Sequence, residues 1–192
     1  MAIIPRGRRG VNRAGRFMLC SCLAALLLCL SCPAVPAEPR PCGATLLKNR
    51  DYGSALLEAI RESRSSIIVS CYLFKITNFP DNYPRRIADE LILARRRGID
   101  VTVILERSRD KADFLNLENS STATFLSRGG VDVRFDSLRK TSHAKVVVID
   151  DRLVFLGSHN LTHSALSRNN ELSVRIDSAE MAREIKTYLG KL

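Results

Sequence analysis

Apolar and polar positions change their period several times along this chain, and each change marks an element. After Asp51, which can cap a helix, the stretch 52-YGSALLEAIRESR-64 sets Leu56, Ala59 and Ile60 on one face, the spacing of an amphipathic helix. The run 66-SIIVSCYLF-74 is continuously apolar and β-branched, which predicts a buried strand. Prolines, asparagines and an aspartate make 75-KITNFPDNYP-84 a loop. A second helix, 85-RRIADELILARRR-97, stops at Gly98, and the arginines of its last turn suit the helix dipole. Strand 99-IDVTVILE-106, charged loop 107-RSRDKAD-113 and a helix over 114–128 closed by Gly129-Gly130 follow. Next come the alternating strand 131-VDVRFD-136, loop 137-SLRKTS-142, a strand over 143–149, a turn at Asp150-Asp151 and the returning strand 152-RLVFLG-157. A short helical piece (161–167), strand 171-ELSVRID-177 and a helix over 178–190 complete the pattern. Strands alternate with helices early and a strand pair follows later. That order predicts an α/β layered sandwich, a mixed central sheet flanked by helices.

The N-terminal pattern is of another kind. Arg6, Arg8, Arg9, Arg13 and Arg16 precede the apolar run 17-FMLCSCLAALLLCL-30, and small residues and prolines follow. This is the order of a secretory signal peptide, with Val35 and Ala37 suited to cleavage before Glu38. The expectation is a leader over 1–37, a tether over 38–50 and a catalytic domain over 51–192, in an exported protein, periplasmic or secreted. The rival readings are a retained membrane anchor, for which the apolar run is short, and lipidation at Cys32. Cleavage would leave 155 of the 192 residues, enough for one domain with a sizeable core. It would also lower the net charge from +10 to about +5, a mildly basic balance that suits a polyanionic partner without proving one. Only Cys42 and Cys71 would remain, either as a disulfide or with Cys71 as a core residue.

The chemistry concentrates in 143-HAKVVVID-150 and 157-GSHN-160. Residues two apart share a strand face, so His143 and Lys145 point the same way, while Asp150 has the other parity. If strand 152–157 pairs with 143–149, Ser158 and Asn160 return close to His143. An imidazole, an ammonium, a hydroxyl and a carboxamide then share a small volume. That set suits a phosphodiester. Lys145, Ser158 and Asn160 would supply donors to the phosphate oxygens, and His143 a nucleophile. A carboxylate should fix the imidazole tautomer, and Glu171 in 169-NNEL-172 is the candidate.

The spacing H-x-K-x4-D-x6-G-S-x-N, met by His143, Lys145, Asp150, Gly157, Ser158 and Asn160, with Asn169 and Glu171 downstream as N-x-E, resembles the HKD motif of the phospholipase D superfamily. The resemblance extends over roughly residues 43–190. It implies a phospholipase D-like fold and a catalytic set of His143, Lys145, Asp150 and Glu171, with Gly157 and Asn169 in support. It implies no metal and no cofactor. Strand parity argues that Asp150 holds the turn instead. One motif in a chain of this size resembles the exported, homodimeric bacterial nuclease branch. There, one His143 would form a phosphohistidine and the second copy's His143 would protonate the leaving oxygen. Nucleic acid, DNA or RNA, is the expected substrate. The rivals are lipid chemistry, as a phospholipase D or phosphatidyl transferase, and a non-catalytic nucleic-acid-binding module. His159 and His163, four apart, could form a metal pair on a helix face, but no third ligand has convincing spacing.

Overall fold

A computed structural model describes residues 43–191. The expected leader, the Cys32 alternative and Cys42, with its possible disulfide, lie outside the described residues. Seven strands form one sheet in the order β1-β7-β6-β5-β2-β3-β4. They are β1 (Gly43–Lys48), β2 (Ser66–Cys71), β3 (Asp100–Leu105), β4 (Asp132–Phe135), β5 (Lys145–Ile149), β6 (Leu153–Gly157) and β7 (Leu172–Asp177). β2, β3 and β4 run parallel, and every other pairing is antiparallel. The mixed sheet flanked by helices is the architecture expected.

Alternation along the strands separates two cores. One face carries Ile67, Val69, Val103, Leu105, Val147, Ile149 and Phe155. Helices α1 (Asp51–Glu62), α2 (Tyr83–Arg96), α3 (Phe114–Arg128) and α4 (His163–Ser167) cover it. The other face presents Val146, Val148, Val154 and Ile176 to a single helix, α5 (Ala179–Leu189), through Ala182 and Leu189. Cys71 is buried in the larger core, and burial pushes its thiol up to about 11.

Three expectations need correction. The tether over 38–50 is structured from Gly43, because β1 pairs with β7 as an edge strand. Asp51 does not cap α1; it is the first helical residue, with Arg50 at the cap position. α2 begins at Tyr83, not 85: the Asn82 side chain accepts from Arg85 N, and Pro84 fits the first turn, where its missing N–H is not needed.

Candidate active site

One edge of the sheet gathers the polar residues of the motif. The parallel strands β2, β3 and β4 all end there, β5 begins there, and β6 ends where β7 begins. His143 lies just before β5 and is exposed. Its ring packs against Tyr72, at the end of β2, with centroids 4.4 Å apart. Tyr72 N also donates to Ala144 O, which ties the approach of β5 to the end of β2. Lys145 is 8% exposed, and its Nζ donates to His143 O at 2.7 Å and lies 3.1 Å from His143 Nδ1. Burial pushes the Lys145 ammonium below its ordinary value, while Cys71 and Glu171 nearby act the other way. A neutral imidazole that accepts from the ammonium at Nδ1 carries its own proton on Nε2. Attack through Nε2 therefore requires that proton to leave.

The returning strand does bring its residues to this edge. Ser158 follows β6 and Glu171 precedes β7, and the two side chains hydrogen-bond, the hydroxyl donating to Oε2. Asn169 Nδ2 donates to Glu171 Oε1 at 3.1 Å. Gly157 is required by contact. A Cβ there would collide with Ser173 Cα and Oγ and stand 2.5 Å from Leu172 O. Asn160 is half-buried, and its Oδ1 is buried without a hydrogen-bond partner, so its polar capacity is unspent.

The geometry revises several roles. Asp150 was expected in the catalytic set, but it lies at the far end of β5, roughly 20 Å from His143 at strand rise. There its carboxylate accepts from Arg64 N, Ser65 N, Ser66 N and Ser65 Oγ. Burial alone would raise that carboxyl, but these donors together outweigh it and hold it below its ordinary value. Asp150 is a clamp on the start of β2, as its parity suggested. Ser158 was expected to donate to phosphate, yet its one hydrogen goes to Glu171, and it accepts from Leu172 N. Glu171 was expected to fix the His143 tautomer. Its oxygens are taken by Ser158 and Asn169, and Lys145 stands at His143 Nδ1 instead.

His159 and His163 do not share a helix, since α4 starts only at His163. His159 is 1% exposed, stacked on Tyr52, with Nε2 2.9 Å from Asn49 O and Nδ1 2.7 Å from Ser173 Oγ. A carbonyl only accepts, so Nε2 carries the proton and Ser173 donates to Nδ1. Burial pushes this imidazole down, in keeping with a neutral ring. Both nitrogens are spent on structure. Among the described residues, no three of His, Cys, Asp and Glu converge as metal ligands.

Two residues of this edge escape sequence reading. Asn49, at φ 51°, accepts from Glu171 N through Oδ1 at 2.9 Å and takes the His159 proton on its carbonyl. Its signal was an asparagine between a short apolar run and a helix, suited to the left-handed region. Glu106, 4% exposed at the end of β3, accepts from Arg107 N and from Ser142 N, the residue before His143.

Comparison with known proteins agrees with this picture. The family described as "Cardiolipin synthase, PLD-like domain" matches residues 56–192. A protein named phospholipase D from Rickettsia conorii is 36% identical over 106 residues, 55% of this chain and 50% of the relative. The mouse mitochondrial cardiolipin hydrolase is 27% identical over 163 residues, 85% of this chain and 66% of the relative. The chain spans about half the length of the Rickettsia relatives it matches. Among solved structures, the phospholipase D family member Nuc from Salmonella typhimurium superposes with a TM-score of 0.66 at 22% identity, covering 79% of this chain and 93% of that one. NucT from Helicobacter pylori gives 0.59 at 23%, covering 79% and 95%. These structures share the fold, the matched domain takes in most of the chain, and the chain belongs to the phospholipase D superfamily.

Proposed function

We propose that this chain is a phosphodiesterase that cuts nucleic acid without a metal, through a phosphohistidine on His143, in a site completed by a second copy. The observation that carries the reading is the placement of His143 between two basic rims. Arg107, Arg109, Arg139 and Lys140 surround a cleft on the side of β3 and β4. Lys48, Arg50 and Arg168 line another on the side of β7 and β1. An extended polyanion laid across the edge would meet cations on both sides of the nucleophile.

In the first step Lys145 turns from His143 Nδ1 to the phosphate and the imidazole proton moves from Nε2 to Nδ1. The freed Nε2 forms a P–N bond as the P–O bond to the leaving oxygen breaks, and His143 of the second copy protonates that oxygen. The second His143 then takes a proton from water, whose oxygen displaces the first imidazole. Lys145 holds the growing negative charge. An apolar row supports the dimer. Leu46 (55% exposed), Leu156 (40%) and Leu172 (58%) lie on the α5 face of the sheet, at the end that the helix does not reach, next to Ser158 and Glu171. The exported location rests on the leader pattern alone.

A second reading, lipid hydrolysis, draws on Phe79 and Leu138, exposed in loops of the same edge, and Phe114, exposed at the start of α3, which could enter a membrane surface. Among the described residues no helix is long and apolar enough to cross a membrane. The test compares wild type with His143→Ala in EDTA, on DNA, RNA and phospholipid vesicles. Cleavage of nucleic acid that the variant loses supports the nuclease. Head-group release with nucleic acid left whole transfers the chain to lipid chemistry. Activity lost in EDTA and restored by added metal refutes the metal-free step.

A further inference from the structure

A cleft of about 340 Å3 opens beside His143, between the loop that follows β3 and the loop that precedes β5. Tyr72 belongs to its wall and also packs on the His143 ring, so the cleft and the nucleophile share a side chain. β3 lies two strands from β5, which puts the cleft about 10 Å from His143 at ordinary strand spacing. Arg107, Arg109, Arg139 and Lys140 line it.

Two properties distinguish these cations from a solvated basic loop. First, none forms an ion pair: every ion pair among the described residues engages other cations. The wall also holds two acids, Glu106 and Asp113, whose oxygens face backbone donors rather than the cations. Glu106 accepts from Arg107 N and Ser142 N, and Asp113 caps α3 through Leu115 N, so four cations against two acids leave the lining net positive. Second, two of the cations, Arg107 and Arg109, are held in place and tie the loops together. Arg109 Nε donates to Leu138 O at 2.9 Å and its Nη2 to Arg139 O, which binds one loop to the other. Arg107 Nε donates to Asp136 O at 3.1 Å. These bonds end on backbone carbonyls, so they fix geometry and leave the charge uncompensated. Buried Glu106 anchors both loops from beneath. Holding like charges together opposes their repulsion, which an anion in the cleft would relieve.

We propose that this cleft is a subsite for a second phosphodiester of the same substrate strand, one or two nucleotides from the bond cut at His143. The inference rests on the nuclease reading and adds to it: substrates with a charged neighbouring linkage are preferred over an isolated diester. Arg139 and Lys140 supply the contact, while Arg107 and Arg109 mainly brace the loops.

The test uses the full chain and its Arg139→Ala/Lys140→Ala variant. The probes are bis(p-nitrophenyl) phosphate, which holds one diester, a labelled oligothymidylate, and the same oligonucleotide with neutral methylphosphonate linkages flanking one cleavable bond. For wild type, the neutral flanks should lower kcat/KM about tenfold, and the variant should show that loss on the fully charged oligonucleotide, relative to its own rate on the small diester. The salt dependence of log KM should also fall by about 0.7 per lost contact. An unchanged ratio and salt slope in the variant, with the oligonucleotide still cut, would overturn the subsite alone. A wild type that cuts the small diester but no oligonucleotide would overturn the nuclease reading and the subsite with it. A variant impaired only on cardiolipin vesicles would give the cleft to the second phosphate of a lipid, and also overturns the proposal.

Discussion

Substituting glycine for Asp150 separates the clamp at the β5–β6 turn from the chemistry at the opposite edge. The carboxylate gathers the amides of Arg64, Ser65 and Ser66 and the Ser65 hydroxyl at 2.8–3.1 Å. Removing a charged acceptor costs about 1.5–3 kcal/mol for one such bond, and less for each further bond to the same exposed site. Asp150 sits at φ 53°, where glycine carries no Cβ penalty and returns about 1 kcal/mol. The net loss should be about 2–3 kcal/mol, or a Tm lower by roughly 4–12 °C for a domain of this size. Asp150→Asn tolerates the same φ and keeps an acceptor, so it should lose only about 1 kcal/mol. The sign of the pH effect follows from the lowered carboxyl. Its stabilisation is complete above the ordinary value of 3.8 and is lost as pH falls through the lower folded value, so the gap between wild type and Asp150→Gly should narrow in acid. Thermal melts and bis(p-nitrophenyl) phosphate turnover at 20 °C check this. The expected kcat is within about threefold of wild type. A kcat loss of about a hundredfold with an unchanged Tm would refute the clamp and return Asp150 to the catalytic set.

Gly157→Ala should force β6 from β7, costing about 2–4 kcal/mol and at least tenfold in kcat as Ser158 and Glu171 shift; a fully active, stable variant would contradict the close approach seen at Ser173. His159 is held neutral by burial, so the unfolded chain binds the extra proton and stability should fall as pH drops below its ordinary 6.5, by at most about 1.4 kcal/mol per pH unit. His159→Phe should remove that step while orphaning Asn49 O and Ser173 Oγ at a cost of about 2–3 kcal/mol at pH 7.5, and an identical pH profile in melts of the two proteins would refute the assignment. Leu156→Asp should turn a sedimenting dimer into a monomer that melts normally and has lost turnover; an active monomer would refute the shared site.

The sheet was legible because its strands differ in kind. The continuous apolar run at 66–71 is buried on both faces, and the alternating run at 132–135 is an edge strand. β1 was missed because GATLLK is short, exposed at five of six positions, and preceded by prolines, which together read as a tether. Its partner lies far along the chain, and no local pattern reports that pairing. At the site, the pairing of β5 with β6 followed from the turn at Asp150-Asp151, both at φ 53°. Parity placed Asp150 away from His143, which motif membership alone does not convey. What the sequence could not show is how hydrogens are shared. Ser158 has one hydrogen, and whether it serves phosphate or Glu171 depends on distances set by Gly157 and Asn49.

The position of the site follows from where the sheet changes direction. β2, β3 and β4 are parallel, so their C-terminal ends, and the loops that leave them, all open at one edge. β5 enters the sheet antiparallel beside β2, so His143 arrives at that same edge from a loop. The antiparallel half then returns Ser158, Glu171 and Asn49 on the other side. His143 is thus flanked by two structures of separate origin. On one side are loops that follow parallel strands, can vary in length, and carry Arg107, Arg109, Arg139 and Lys140. On the other is a tightly hydrogen-bonded hairpin end in which Gly157, Asn49 and His159 leave little freedom. Substitutions in the loops should therefore change which phosphodiester is preferred, and substitutions in the hairpin should change whether any is cut. The two halves meet at Tyr72, which touches His143 and the basic cleft, so it is the residue through which a change in substrate grip would reach the nucleophile.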